Sequence, residues 1–492
     1  MLAQRAILKS LRRFGRDRSG AIAMWAALVA PPLVGLGALS VDVARIYSLE
    51  AEIQTAADSL ARAGAVELDG RSDSITRATA AISNLVANKQ SLAEPGAAQV
   101  SVQQVRFLTA LPAHDDTAVS GADVTTDAKA AQFVEVQLAP ATIKTIFPVS
   151  LSQGIASVSL SGKAVAGRMR RVCGAAPLFI CNPFEGTGVS FEDAVSQRSV
   201  RGRLIALKGK GGGAKYFPGN FGYLEPPGSK GADALREMFA HVSPDACFDE
   251  RGVSLRTGNV NSAQQGVNVR FDMYEGSFKN ENDNPNYAPA VNVTKGYTGA
   301  ACKPSADEDA MGLPRDRCFA TGDCPNMSGR MGDGDWDVVS YMGVNHGKPA
   351  SATIAGVAYS FNYLAGTVSP STPPTRYEVY RWEIDNGRIP GTTGYGASKT
   401  PENGAPRCYS GGTPSDAPDR RLLAVAVLDC QALDAKYGIS GGSTPPLPVR
   451  GFAKVFLTEP MDGPDDTIWG EIVGMLEWGK DPQVRDEVDV RR

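Results

Sequence analysis

Histidine is scarce in this sequence. Among 492 residues there are only three, His114, His241 and His346. Catalysis by a histidine base and metal sites built on imidazole therefore have few places to form. The net charge is -3 at pH 7 and the pI is about 5.8. That balance lacks the basic character of nucleic-acid-binding domains, so we expect no nucleic-acid partner.

Cysteine is missing from the N-terminal third of the chain and is plentiful after it. The eight cysteines are Cys173, Cys181, Cys247, Cys302, Cys318, Cys324, Cys408 and Cys430. None forms a C-x-x-C pair and none has histidine at zinc-finger spacing, which argues against zinc and against redox-active thiols. An even number confined to one region is typical of disulfides in an oxidising compartment. The sequence does not give their connectivity.

Charge is absent from Ala21 to Val41. A helix that crosses a bilayer needs about 20 apolar residues, whereas the apolar region of a secretory signal has roughly 7–15. The length therefore predicts a retained transmembrane helix over 21–41, although Pro31 and Pro32 lie inside it. Membrane helices tolerate such prolines where the freed carbonyls find other partners.

The charges that flank this span set its orientation. Residues 1–20 form a basic segment that contains a single acidic residue, Asp17. Its basic residues are Arg5, Lys9, Arg12, Arg13, Arg16 and Arg18. Positive charge stays on the cytoplasmic side of a membrane. We therefore expect a single-pass protein of the bacterial inner membrane, with a cytoplasmic N-terminus and a periplasmic bulk in which disulfides form.

A helix is predicted to continue from the span to about Glu67. Apolar or small residues recur there at spacings of three and four, which is a heptad-like seam. The seam residues are Ile46, Leu49, Ile53, Ala56, Leu60 and Ala63. Two uses of the Ile46–Ala63 seam stay open: packing between subunits of an oligomer, or packing onto the chain's own β domain.

Residues 42–170 are predicted to form an α/β stalk domain. "VEVQLAP" places Val134, Val136 and Leu138 on one face of a strand, and "ASVSLSGKAV" repeats the alternation. Such patterns indicate half-buried antiparallel strands. "AISNLVANKQ", which precedes them, is expected to be helical.

Residues 171–492 are predicted to form a β-rich, loop-rich domain braced by disulfides. Short apolar runs are separated there by glycine and proline. The expected strands are Val269–Tyr274, Tyr377–Ile384, Leu422–Asp429, Val449–Leu457 and Ile468–Trp478. The whole chain is therefore expected to be of the α+β class.

The segment Arg18–Leu68 resembles the N-terminal region of TadG-like Flp pilus-assembly proteins of the tight-adherence system (a TadE/TadG-like region). In that family a glycine precedes the apolar span and an aspartate follows it, as Gly20 and Asp42 do here. A Gln-x-Ala-Ala-Asp-x-x-Ala core comes next. Its positions are held by Gln54, Ala56, Ala57, Asp58 and Ala61.

The resemblance implies a pseudopilin-like helix and sheet, and partners among pilus-assembly or pseudopilin proteins. Phrases of the large domain, such as "CGAAPLFICNPFE" and "GFAKVFLTEP", also resemble longer TadG-like proteins. One position departs from prepilins, which are cut after a glycine and carry glutamate at the fifth mature position. A cut after Gly20 would put Trp25 there, so we expect an unprocessed anchor.

Three further motifs each allow a structural and a functional interpretation. "GDGDWD" places Asp333, Asp335 and Asp337 at a spacing that suits calcium, but an EF-hand loop would need other residues downstream, and a solvated acidic turn is the simpler interpretation. "GISGG" (438–442) formally matches a nucleophile elbow, but proline follows where a helix is required. The glycine-rich run after Leu207 lacks the phosphate-loop lysine pattern.

The favoured function is that of a membrane-anchored accessory protein of Flp pilus assembly and surface adherence, which acts by binding. We expect no enzymatic activity and no cofactor. Two alternatives stay open: a membrane-tethered periplasmic hydrolase, and a surface-binding module stabilised by calcium.

Overall fold

The computed structural model divides the chain into two compact units. The first unit comprises Met1–Met169 with Glu487–Arg492, and the second comprises Arg170–Asp486. The structure describes residues 19–69, 71–87, 100–111, 119–145, 157–207, 221–244, 246–250, 252–256, 263–296, 311–325, 329–390, 404–414, 418–439, 445–461, 467–477 and 479–491.

A helix of 48 residues, α1 (Ser19–Val66), dominates the first unit. It contains Pro31 and Pro32, and it ends within a residue of the predicted end. A second helix, α2 (Ser74–Ala87), follows a short turn and corresponds to the helix predicted from "AISNLVANKQ".

Antiparallel strands complete the first unit. In the order β1-β2-β5-β17 they form a sheet, with Phe107 opposite Val134 and Val134 opposite Ala166. A separate hairpin pairs β3 with β4. The bounds are β1 Val102–Leu108, β2 Phe133–Leu138, β3 Ala141–Lys144, β4 Ser157–Leu160, β5 Lys163–Cys173 and β17 Val484–Arg491.

The second unit is built on a sheet of seven strands in the order β10-β8-β6-β14-β15-β16-β7. Of these pairs only β6 and β14 are parallel, so their carboxyl ends meet at one edge of the sheet. The bounds are β6 Leu178–Cys181, β7 Leu204–Ala206, β8 Phe221–Leu224, β10 Leu255–Arg256, β14 Leu422–Leu428, β15 Gly451–Leu457 and β16 Trp469–Met475. A short strand, β9 (Cys247–Asp249), pairs with the end of β5.

Both faces of this sheet are buried. Along β14, Val425 and Val427 lie in one hydrophobic cluster, whereas Ala426 and Leu428 lie in another. A strand covered on both faces is apolar at every position, which explains the unbroken run "LLAVAVL". The strands predicted over Leu422–Asp429, Val449–Leu457 and Ile468–Trp478 correspond to β14, β15 and β16.

Helices and a small third sheet cover the seven-stranded sheet. The helices are α3 Phe191–Ser196, α4 Ala232–Ala240, α5 Ala263–Val269, α6 Arg317–Thr321, α7 Val338–Asn345, α8 Arg376–Asp385 and α9 Cys430–Tyr437. The third sheet has the order β11-β12-β13, from β11 Ser351–Ile354, β12 Val357–Asn362 and β13 Thr367–Ser369. Aromatic side chains of α7, α8 and β12 share a hydrophobic cluster beneath it.

Two strand predictions are wrong. Tyr377–Ile384 lies in helix α8, where Thr375 and Glu378 form a capping box and Arg376, Val379, Tyr380 and Glu383 are buried at helical spacing. Val269 ends helix α5. The residues after it form a turn around Asp272, whose backbone has a positive φ of 65°. The carboxylate of Asp272 accepts hydrogen bonds from three backbone N–H groups of the 407–409 loop.

Candidate functional site

The family-like positions of α1 attach this helix to its own sheet. Gln54 Nε2 donates to Asp58 Oδ1 at 2.8 Å and to the carbonyl oxygen of Lys163 at 3.1 Å. Ala57 is fully buried beside them. The amide of Gln54 therefore joins the helix to the first residue of β5. Sequence reasoning singled out these positions but did not predict this contact.

Asp42 has a similar role nearer the membrane span. Its side chain is buried, with the residue only 6% exposed. Arg45 Nη1 lies 3.4 Å from Asp42 Oδ1 and 3.4 Å from the carbonyl oxygen of Lys144, the last residue of β3. A carboxylate at the end of an apolar span therefore helps to hold an arginine against the β3–β4 hairpin.

The seam residues pack within the first unit. Leu49, Ile53, Ala56 and Leu60 are buried in the same cluster as Val134 and Val136 of β2. Ile46 and Ala63 are half-buried. Of the two uses that the sequence left open, packing onto the chain's own β domain is the one observed.

Close backbone contact makes this packing possible. A Cβ atom at Gly162 would lie 2.7 Å from Ile53 Cγ2 and 2.9 Å from the Ile53 carbonyl oxygen. Since real Cβ atoms do not approach backbone so closely, only glycine fits between α1 and the turn from β4 to β5.

The other end of α1 has no such cover. The side chains of Met24, Trp25, Leu28 and Leu39 are all more than half exposed. Among the described residues α1 is the one helix that is long and apolar enough, from Met24 onward, to cross a membrane. Gly20 lies in the first turns of this helix. Its N-terminal part therefore fits a membrane anchor.

Six cysteines form three described disulfides. Cys173 bonds to Cys247, Cys181 to Cys430 and Cys318 to Cys324. Cys408 is disulfide-bonded as well, while Cys302 lies outside the described residues. The second bridge joins the last residue of β6 to the first residue of α9, which follows β14, and these two cysteines are 249 positions apart in sequence.

The three calcium candidates have other partners. Arg317 lies 3.6 Å from a carboxylate oxygen of Asp335 and 3.6 Å from one of Asp337. Asp337 also caps α7, and Asp333 accepts the backbone N–H of Asp335. In the described part of the chain, no group of three or more His, Cys, Asp or Glu side chains is arranged to hold a metal ion. Ser440 and Gly442, and the glycine-rich run from Lys208, lie outside that part.

Sequence reasoning missed a polar cluster at the carboxyl ends of β6 and β14. Asn182 Nδ2 donates to Asp429 Oδ1 at 2.7 Å, and Arg450 Nη1 lies 3.3 Å from Asp429 Oδ2. Glu185 accepts the first backbone N–H groups of α9 at 2.8 and 3.0 Å. The sequence contains a local signal for this cluster, since Asn182 and Asp429 each directly follow an apolar run of the kind that forms a buried strand. Each of these side chains bonds to another member of the cluster or to the backbone, so the cluster stabilises this edge of the sheet.

A network of buried charge centres on Arg376, whose side chain is fully buried. The guanidinium pairs with Asp316 and, at 3.2 Å, with Glu471. Glu471 also accepts the backbone N–H groups of Arg376 and Tyr377 at 2.8 and 2.9 Å. Burial raises the pKa of Glu471 to about 7, despite the opposing effects of Arg376 and these hydrogen bonds.

A second buried network surrounds Glu383. Its carboxylate accepts from Tyr341 at 2.6 Å and from Asn292 at 2.6 Å, and it lies 2.9 Å from His346 Nε2. His346 and Glu383 are a pair of the kind that occurs in active sites. Here both are buried among aromatic side chains, and the contact joins the C-terminal end of α7 to α8.

These features describe an α+β protein with a candidate membrane helix near its N-terminus and a second unit braced by disulfides. The family model of putative Flp pilus-assembly TadE/G-like proteins matches residues 20–67. This match confirms the resemblance drawn from Arg18–Leu68, and it covers α1 and little else. Searches of curated proteins and of solved structures found no match to the chain.

Proposed function

We propose that this chain is an accessory protein of Flp pilus assembly and surface adherence, anchored in the bacterial inner membrane by α1. The observation that carries this proposal is the match over residues 20–67. In this segment one uninterrupted helix combines an exposed apolar half with a half that is packed onto its own sheet. The family-like side chains of Gln54 and Asp42 sit in that packed half.

The proposed orientation has residues 1–20 in the cytoplasm, and it has the chain from Asp42 onward, including the second unit, in the periplasm. Two independent features support it. Basic residues outnumber acidic ones before the span, as on cytoplasmic flanks. The second unit contains disulfides, which persist in oxidising compartments and are rare in the cytosol.

The proposed mode of action is binding to pilus-assembly or pseudopilin-like proteins, without catalysis. The conspicuous ionisable clusters support this view, because their members bond to one another or to backbone. Arg376 with Glu471, His346 with Glu383, and Asn182 with Asp429 all hold elements of the second unit together. The apolar face of α1 that the first unit leaves uncovered is available to lipid and to other membrane helices.

A complementation experiment tests the proposal. A deletion strain should lose surface pili and adherence, and the wild-type chain should restore both. A variant in which residues 21–41 are replaced by an unrelated membrane span of equal length should anchor normally. It should fail to restore pili if α1 contacts other components. Normal pili and adherence in the deletion strain would contradict the proposal.

A further inference from the structure

The exposed apolar surface of α1 continues beyond the uncharged run that ends at Val41. Val43 is 38% exposed and Tyr47 is 67% exposed, while Trp25 near the other end is 67% exposed. At about 1.5 Å per residue, Trp25 and Tyr47 lie roughly 33 Å apart along the helix. That length matches a hydrocarbon core of about 30 Å with an aromatic side chain at each interface. The bilayer surface therefore lies near Tyr47.

The β3–β4 hairpin packs beside the helix at this level. Arg45 Nη1 lies 3.4 Å from the carbonyl oxygen of Lys144 at the end of β3. Arg45 precedes Tyr47 by two residues, which is about 3 Å along the axis. The close packing of Ile53 against Gly162 fixes the hairpin on α1. Lys144 is therefore held at the depth of the headgroups.

The charge at this end suits a phosphate. Lys144 is exposed, and no carboxylate among the described residues pairs with its ammonium group. The nearby carboxylate of Asp42 is buried and engaged with Arg45. A lysine close to an anionic leaflet is attracted to it appreciably.

We propose that Lys144, the last residue of β3, makes a second membrane contact by binding the phosphate of phospholipid headgroups. These lipids belong to the leaflet from which α1 emerges. The contact limits rotation and tilt of α1 and of the sheet that packs on it. The inference requires α1 to lie in a bilayer, and it does not depend on a role in pilus assembly.

Depth measurements on the full-length protein in nanodiscs test the placement. A fluorophore is attached, under non-reducing conditions, to a cysteine introduced by Leu28→Cys, Thr142→Cys or Arg71→Cys, with the unsubstituted protein as labelling control. Quenchers are placed in the acyl chains or on the headgroups. The label at 28 should be quenched from the acyl chains, which verifies the anchor independently. The label at 142 should be quenched from the headgroups.

The label at 71 should be quenched by neither, because it follows the end of α1, about 28 Å beyond Tyr47. Normal quenching at 28 with no headgroup quenching at 142 would overturn the proposal while leaving the anchor intact.

Lipid enrichment tests the role of charge. In nanodiscs that contain a few per cent of a quencher-labelled anionic phospholipid, the label at 142 should report roughly fivefold enrichment over a random distribution. Lys144→Glu should abolish this enrichment. Lys129→Glu is the matched control. Lys129 is also exposed, but it adjoins Ala128, whose carbonyl oxygen accepts a hydrogen bond from Ser74, and it is therefore placed at the start of α2 and not beside Arg45. Equal enrichment in both variants would refute the phosphate contact.

Discussion

At the scale of single residues, glycine decides how closely α1 approaches its sheet. The contact of Gly162 with Ile53 includes the backbone carbonyl oxygen, which cannot rotate away as a side chain can. The seam residues Leu49 and Ile53 depend on this approach for their burial. A single added methyl group therefore strains the whole helix–sheet contact.

We predict that Gly162→Ala destabilises the first unit by about 1–3 kcal/mol, the usual cost of overpacking. Hydrogen exchange of α1 and β5 amides in the full-length protein measures the effect. Gly121→Ala is the matched control, since nothing lies within 4 Å of a Cβ there and the backbone φ is not positive. Equal protection in the two variants would show that the close contact does not form.

Arg376 is the cation that pairs with two buried carboxylates of the second unit, those of Asp316 and Glu471. Arg376→Met should cost about 3–5 kcal/mol, because it leaves Asp316 and Glu471 buried without their cation. Trp336 lies 5.0 Å from the guanidinium and provides a local fluorescence signal during unfolding by urea.

Arg381→Met, on the same helix, is the control for Arg376. Arg381 is part of an i,i+4 pair with Asp385 on the surface of α8. Its loss should change stability by no more than about 0.5 kcal/mol. A similar small effect for Arg376→Met would contradict the buried network.

The raised pKa of Glu471 predicts how the free energy of unfolding changes with pH. The sign is opposite to that for an ion-paired carboxylate on the surface, whose pKa is lowered. The folded pKa of Glu471, about 7, lies above its ordinary value of 4.5, so the folded chain holds the proton more tightly than the unfolded chain. The stabilising contribution is complete below about pH 4.5 and is lost as the pH rises through 7. The slope in this window is at most about 1.4 kcal/mol per pH unit.

Glu471→Gln should remove this slope. Urea unfolding of wild type and variant at pH 5, 6 and 7 measures it, because other groups contribute equally to both curves. If the difference in stability between wild type and variant is independent of pH, Glu471 is ionised throughout and the assignment fails.

At the scale of elements, local sequence predicted α1 and β14 well because each has one dominant signal. The uncharged span and seam of α1 extend over many turns, and β14 is apolar at every position. Helix α8 was misassigned because "YEVYRWEI" is rich in aromatic and β-branched residues, which favour strands. Its capping box and a buried arginine, whose partners come from distant segments, decide otherwise.

The polar clusters were harder to predict than the elements. Asn182 and Asp429 are separated by 247 positions and meet only because β6 and β14 are parallel neighbours. Glu383 bonds to Tyr341 and His346 at α7 and to Asn292, which is about 50 positions earlier in the sequence. No local pattern reports such convergence, since it follows from the topology. The Gln54 contact with Lys163 was missed for the same reason, although Gln54 itself had been singled out.

The disulfides should differ in their effect on the second unit. A disulfide lowers the entropy of the unfolded chain, and it does so more strongly when it closes a longer loop. The two cysteines of Cys181–Cys430 are 249 positions apart and those of Cys318–Cys324 are 6 apart. The long bridge should therefore add up to about 3 kcal/mol more to the free energy of unfolding than the short one. Double substitution to alanine of each pair, followed by urea unfolding, compares them. The short bridge is the control, because its double substitution also removes the packing of two cysteine side chains but opens only a short loop. A larger loss from that bridge would argue that strand pairing does not depend on the link between β6 and β14.

At the scale of the whole molecule, the proposed topology rests on two conditions. The proposal requires that α1 is inserted in the membrane and that the second unit reaches a compartment that oxidises thiols. A bacterial inner-membrane protein with its bulk in the periplasm meets both conditions. An adaptor for a pilus that is assembled through this membrane would need the same topology.

This topology gives the last prediction, which concerns the oxidation state of the protein in its own cell. Membranes are treated with a thiol-blocking reagent before extraction, and the unreduced protein is digested and analysed by mass spectrometry. Peptides linked through Cys173–Cys247, Cys181–Cys430 and Cys318–Cys324 should be found, together with an intact N-terminal peptide. A strain that lacks the periplasmic thiol oxidase is the control, and it should yield blocked cysteines and less protein. Blocked cysteines in the wild-type strain would place the second unit in a reducing compartment and reverse the proposed orientation.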